Sequence, residues 1–117
     1  MIKFSEYPAA IASIKIEIHE LDIQIERLYK IIKQIESQVD SIIAFDKTLY
    51  NDAQRKAKRQ QLLQEHISHW EFQEDISEVR AIREIKNIDL GRLLDEFSVM
   101  KLEKREAIAQ MELQVAI

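Results

Sequence analysis

The densest chemical feature of the sequence is a run of four basic residues, Arg55, Lys56, Lys58 and Arg59. On a helix these side chains would lie within two turns of one another, where arginine forks and lysine charges could meet phosphate oxygens. Such a run is also typical of a solvated coiled-coil surface, and Phe45 and Tyr50 are the only aromatic residues near it that could stack on bases. We interpret the cluster as a solubilising surface or a contact for the acidic ends of a second chain. Phosphate or nucleic-acid contact is the alternative.

Metal coordination is the second chemistry to consider, because His66 and His69 are three residues apart with Glu65 and Trp70 adjacent. Two imidazoles at this spacing can share an ion, but a stable zinc or di-iron centre needs further ligands. The sequence has no Glu-x-x-His or His-Glu-x-x-His spacing. We therefore expect no metal and no cofactor, with both histidines at a surface or an interface. His19 has no partner in the sequence and should be exposed.

The residues needed for catalysis are not brought together by any pattern in the sequence. A nucleophilic Ser or Thr needs a neighbouring base, usually displayed on loops, and long helices leave few loops. One Gly and no Cys exclude phosphate-cradling glycine motifs, cysteine nucleophiles and thiolate metal sites. Carboxylate pairs such as Asp95 and Glu96 are consecutive, so they point apart on a helix. We predict a non-enzyme with no catalytic residues and no small-molecule substrate.

Composition bounds the fold and the partners. The 117 residues are 46% apolar and 32% charged, which fits a single helical domain over residues 1–117, while one Gly and one Pro disfavour β-rich folds. The net charge of −4 disfavours a protein that coats nucleic acid, although residues 47–61 are locally basic. No basic leader and no membrane-length apolar run are evident, so we expect a cytoplasmic protein that does not contact membranes.

Apolar residues near the amino end follow a strict 3,4 spacing, which predicts a left-handed coiled coil. Pro8 suits the first turn of a helix, and Asp46 occupies the next seam position after the run, so helix 1 is predicted over about 8–46. The seam positions are Ile11, Ile14, Ile18, Leu21, Ile25, Leu28, Ile32, Ile35, Val39 and Ile42.

A second long helix is predicted from about residue 52 to 115. Asn51 with Gln54 three residues later has the spacing of a capping box, and the short connection over 47–51 requires the helices to pack antiparallel as a hairpin. A second seam crosses Gly91 in phase, which favours an unbroken helix over a break at 87–91. With that break the helices would be 52–88 and 90–115. The second seam comprises Phe72, Ile76, Val79, Arg83, Lys86, Leu90, Leu93, Phe97, Met100, Lys104, Ala107 and Met111.

An unbroken second helix would outrun the first by about 25 residues and leave apolar side chains without intrachain cover. We therefore predict a homodimer with a four-helix core, and a monomeric three-helix bundle with a turn at 87–91 as the alternative. Aromatic residues such as Trp70 and Phe72 are interpreted as ordinary core. The predicted oligomer interface comprises Leu90, Leu93, Leu94, Phe97 and Met100, with Leu102 exposed beside it.

The function predicted from these features is a non-enzymatic coiled-coil scaffold or protein–protein interaction module, either self-associating or binding an unidentified protein. The alternative is an accessory nucleic-acid-binding protein that uses the basic cluster. Residues 49–56 resemble a segment of small helical proteins encoded near phage-type DNA-processing genes. That resemblance covers less than a tenth of the chain, and we draw no function from it.

Overall fold

The computed structural model describes residues 2–116, and they form an all-α fold, as predicted. A short 3-10 helix, Phe4–Glu6, leads directly into α1, Tyr7–Ala44. After a connection come α2, Asp52–Glu65, and α3, Ile67–Ala116. No strand is present in this part of the chain. The first helix begins and ends within two residues of the predicted bounds.

The predicted seam of α1 is covered along nearly its whole length. Nine of its ten positions are buried or half-buried, from Ile11 to Val39. The last position is wrong, because Ile42 is 57% exposed whereas Ile43 is 8% exposed. A straight helix has 3.6 residues per turn, so its covered face drifts from a strict 3.5-residue repeat. Past Val39 that drift brings Ile43 to the covered side.

The connection between α1 and α2 is closed by side-chain hydrogen bonds. The Asp46 carboxylate accepts from the hydroxyl of Thr48 at 2.6 Å and from its backbone N–H at 2.9 Å, and these bonds lower the pKa of Asp46. The Asn51 side chain accepts from the Gln54 N–H at 2.9 Å, which confirms the predicted N-cap of α2. The Gln54 side chain in turn accepts from the Tyr50 N–H at 2.7 Å.

The second arm of the hairpin is interrupted at His66, so the prediction of one helix over 52–115 is wrong at this point. The His66 backbone is extended, with φ −82° and ψ 100°. Its N–H donates to the Leu63 carbonyl, and its ring Nδ1 accepts from the His69 N–H at 3.2 Å. His66 therefore caps the end of α2 and the start of α3 at once. The favoured continuity at 87–91 is confirmed, and the three-helix alternative with a turn there is wrong.

The chain packs as two compact units, each containing both arms of the hairpin. One joins the chain up to Glu20 with the chain from Arg83 onward, and the other is Leu21–Ile82. In the first unit Lys86 lies 3.2 Å from Glu17, and in the second Arg59 lies 2.7 Å from Asp40. The arms run antiparallel in both, which confirms the predicted hairpin. The single-domain assignment stays a prediction.

The core of the terminal unit is built around Tyr7, whose side chain is fully buried. Its ring stacks on Phe97 with centroids 5.5 Å apart, and Phe4 lies 5.3 Å from the same ring. Ile11 and Leu93 complete the buried cluster. The residues packed around it are Ile2, Ala10, Ile14, Leu90, Phe97 and Met100.

This core corrects the expectation that the predicted interface residues lack intrachain cover. Leu93 is buried, and Leu90, Phe97 and Met100 pack against the same cluster, so only Leu94 and Leu102 are exposed as expected. The predicted extension of the second helix past the start of the first was too long. It assumed that both arms of the hairpin use the same number of residues over the same length. In the second unit Arg59 contacts Asp40, and His69 contacts Glu36. Between these two contacts the returning arm advances ten residues while α1 advances only four. The returning arm thus uses extra residues around the break at His66.

The Tyr7 hydroxyl should make the terminal unit sensitive to alkali. Burial raises the pKa of Tyr7, and the Glu96 carboxylate, which accepts its hydrogen bond at 3.1 Å, raises it further. The folded chain then holds this proton more tightly than the unfolded chain, so the stabilisation is complete below about pH 10 and is lost as the pH rises through the folded value. The free energy of unfolding, measured with urea, should be lower at a pH above the folded pKa of Tyr7 than at neutral pH. Tyr7→Phe should reduce this difference.

Tyr50→Phe is the matched control for this prediction, because Tyr50 is 81% exposed. It should leave the alkaline loss of stability unchanged. The same loss in Tyr7→Phe as in the parent chain would show that lysine titration, and not Tyr7, causes it.

Candidate functional site

The basic cluster is partly neutralised by neighbouring carboxylates. Arg55 lies 3.0 Å from Asp52. Arg59 donates to Asp40 at 2.7 Å and lies 4.0 Å from Glu36, and the hydrogen bond to Asp40 raises its pKa. Within residues 2–116, Lys56 and Lys58 form no ion pair. Two of the four cations therefore have no ion pair within the described residues, and the cluster is not a continuous positive surface.

A groove of about 540 Å³ lies beside this cluster and is walled on one side by an exposed tryptophan. Trp70 is 58% exposed, so its interpretation as ordinary core is wrong, whereas Phe72 is half-buried. Trp70 lies in the first turn of α3, directly after the break at His66. The lining residues are Lys56, Arg59, Gln60, Leu63, Gln64, His69 and Trp70.

His69 is the polar side chain that sequence reasoning placed least well. It is 7% exposed, not at the surface, and its Nε2 has no hydrogen-bond partner among the residues that the structure describes. The closest carboxylate oxygen, from Glu36, is 3.6 Å away, which is beyond hydrogen-bond distance. His66 is half-buried and His19 is exposed, as expected for His19. Among the described residues no three His, Cys, Asp or Glu side chains are arranged to hold a metal ion.

A second apolar face runs along α3, on the side of the helix opposite Leu90, Leu93 and Phe97. We call it the outer stripe, and it occupies six consecutive 3,4-spaced positions over residues 85–102. Its four apolar members are 53–65% exposed, and Arg92 and Asp95 lie in the middle. The stripe comprises Ile85, Ile88, Arg92, Asp95, Val99 and Leu102.

The end of α3 carries more exposed apolar surface. Every residue over 101–116 is exposed, because the other arm begins at the level of Phe97 and Met100. Lys101 and Lys104 lie over the rings of Phe97 and Phe4, at 4.6 and 4.9 Å. The apolar side chains beyond them are between 55% and 87% exposed. They are Ile108, Met111, Leu113 and Val115.

Sequence reasoning missed the outer stripe because it assigned one seam to each helix. The spacing that could have revealed it is present, since residues 85–102 contain a second 3,4 pattern between the positions of the first. The two charges at its centre conceal that pattern. Exposure in the folded chain is what separates the two faces.

No protein-family model matches the sequence, and neither the curated proteins nor the solved structures contain a significant match to it. No helix over residues 2–116 combines the length and the apolar character needed to cross a lipid bilayer.

Proposed function

We propose that this chain is a non-enzymatic interaction module that acts by self-association through exposed apolar surface on α3. The observation that carries the proposal is the exposure of branched aliphatic side chains in series along that helix, such as Ile85, Ile88 and Leu102 at 60–65%. Single exposed apolar residues are common on monomers, whereas several on one face of a helix favour protein contacts. The cytoplasmic location and any further protein partner stay predictions.

Burial of this surface supplies the driving force for the proposed association. Full burial of an aliphatic side chain contributes about 1.5–3 kcal/mol, and side chains that are 53–65% exposed in the single chain would gain roughly half of that. Two copies double the number of such side chains, and the rigid helix that carries them loses little backbone entropy on binding. An interaction module of this kind needs no bound group and no reacting side chain.

The phosphate-binding alternative finds less support in the arrangement of charges. Asp40 and Asp52 each pair with one arginine of the cluster, so a phosphate would compete with two carboxylates already in place. Lys56 and Lys58 alone would give weak, salt-sensitive binding of low specificity. Nucleic-acid binding is therefore the less favoured function, and the measurement of mass in solution with added DNA or RNA distinguishes it from self-association.

The proposal is tested by measuring the mass in solution by light scattering over a range of protein and salt concentrations, with and without short DNA or RNA. We expect a mass above the 13.8 kDa of one chain that persists at high salt, because apolar contacts are not weakened by added salt. A chain that stays at 13.8 kDa at every concentration contradicts the proposal. A nucleic-acid complex that salt and Lys56→Glu with Lys58→Glu both remove would favour the alternative.

A further inference from the structure

We propose that the outer stripe pairs with the outer stripe of a second copy of this chain as an antiparallel two-helix contact, with the twofold axis between residues 93 and 94. This inference rests on the proposed self-association and names its surface, its orientation and its register. The surface differs from the predicted interface, most of which packs within the chain.

When two copies of the stripe run antiparallel, aliphatic residues of one face aliphatic residues of the other. In the antiparallel register Ile85 meets Leu102 of the partner subunit, and Ile88 meets Val99 of the partner subunit. Both layers join aliphatic side chains that are more than half exposed in the single chain. The two layers recur on either side of the axis, so eight aliphatic side chains are covered over 18 residues, or about 27 Å of helix.

The charges at the centre of the stripe determine the orientation. In the antiparallel register Arg92 lies opposite Asp95 of the partner subunit, and the twofold axis repeats this pair. A parallel pairing would place arginine on arginine and aspartate on aspartate, which is destabilising. Arg92 also lies 3.0 Å from Glu96 of its own chain and is 59% exposed there, whereas Asp95 has no ion pair among the described residues.

One flank of the stripe also supports this register. On one flank Glu84 lies level with Arg105 of the partner subunit, which adds a favourable pair on each side of the axis. On the other flank Asp89 faces Glu96 of the partner subunit. Glu96 already accepts hydrogen bonds from Tyr7 and Arg92, which offset this repulsion.

Gly91 is an independent observation in favour of this contact. It lies inside a continuous helix, where glycine is less favourable than alanine, and a Cβ built on it would meet nothing within 4 Å. Packing within the chain therefore does not require glycine here. In the proposed register Gly91 lies next to the axis and opposite Ser98 of the partner subunit, and two small residues at this level let the two helix backbones approach closely.

Charge exchange tests the register directly. Arg92→Asp and Asp95→Arg should each weaken self-association by at least about tenfold, because each places like charges opposite one another. A 1:1 mixture of the two variants should restore it to within about threefold, since every central pair is then opposite in charge. The chain carrying both changes should also associate normally. Lys33→Asp, an exposed charge reversal on α1, is the control and should have no effect.

Cross-linking adds a readout of position, because the chain contains no Cys. Chains with Ile88→Cys and chains with Val99→Cys should form disulfides with each other on oxidation far faster than either forms with itself. Preferential self-linking of Ile88→Cys would indicate parallel pairing and overturn the inference.

These experiments distinguish failure of the proposed outer-stripe pairing from failure of self-association as a whole. Dimers that ignore both charge exchanges but are lost in Ile108→Glu with Met111→Glu would overturn the outer stripe and keep self-association, through the end of α3. A parent chain that is monomeric throughout would overturn both. Circular dichroism of each variant verifies that the helices are intact.

Discussion

Leu93→Ala should lower the free energy of unfolding by about 3 kcal/mol, the usual size for a buried leucine. Leu93 is 7% exposed and completes the cluster that contains Tyr7 and Ile11. Its removal leaves a cavity that neighbouring side chains fill incompletely, since α3 is a rigid helix at this point. Urea unfolding followed by circular dichroism, at one fixed protein concentration, measures the difference.

Leu94→Ala is the matched control, because the next residue has the same side chain and is 40% exposed. Its effect should stay below about 1 kcal/mol. The pair also separates two interpretations of this segment. If both leucines lay in an interface between chains, as predicted from the sequence, both substitutions would lower the apparent stability, and the loss would depend on protein concentration. Equal effects would therefore contradict the packing of Leu93 within the chain.

The α1 seam could be predicted from the sequence because its physical basis is local. Ten apolar residues at one spacing leave a single face to cover, and the cap at Asn51 with its short connection determines where the chain returns. These features need no knowledge of what lies opposite. The direction and approximate ends of both arms follow from them.

The break at His66 could not be predicted in the same way, because no glycine or proline marks it. Beyond the break His69 is buried with its Nε2 3.6 Å from Glu36 of α1, a contact between the two arms that no local pattern encodes. The spacing of the covered residues is irregular near the break. Positions 66, 69 and 72 are separated by two successive steps of three residues, whereas a heptad repeat alternates steps of three and four. That irregularity acquires meaning only once the opposite arm is known.

Which face of α3 the other arm covers could not be predicted from the sequence for a related reason. Residues 85–102 carry two apolar faces, and the sequence does not say which of them the other arm covers. The answer depends on Tyr7, which packs in the terminal core with Ile11 and Leu93. Once Leu90 and Leu93 are covered by this arm, the outer stripe is the face left open.

Ile43→Ala should lower the free energy of unfolding by about 3 kcal/mol, whereas Ile42→Ala should change it by no more than about 0.5 kcal/mol. The two residues are adjacent and identical, so differences in side-chain chemistry and helix propensity cancel. Ile43 is 8% exposed and Ile42 is 57% exposed, which leaves burial as the difference between them. Urea unfolding at one protein concentration measures both.

This pair decides where along α1 the strict heptad repeat gives way to straight-helix geometry. Covered positions 32, 35, 39 and 43 advance by three, four and four residues, close to 3.6 per turn. A supercoil maintained to the end of the helix would instead bury Ile42. A larger loss for Ile42→Ala than for Ile43→Ala would therefore indicate that the 3.5-residue repeat extends past Val39 in solution, with Ile43 turned outward.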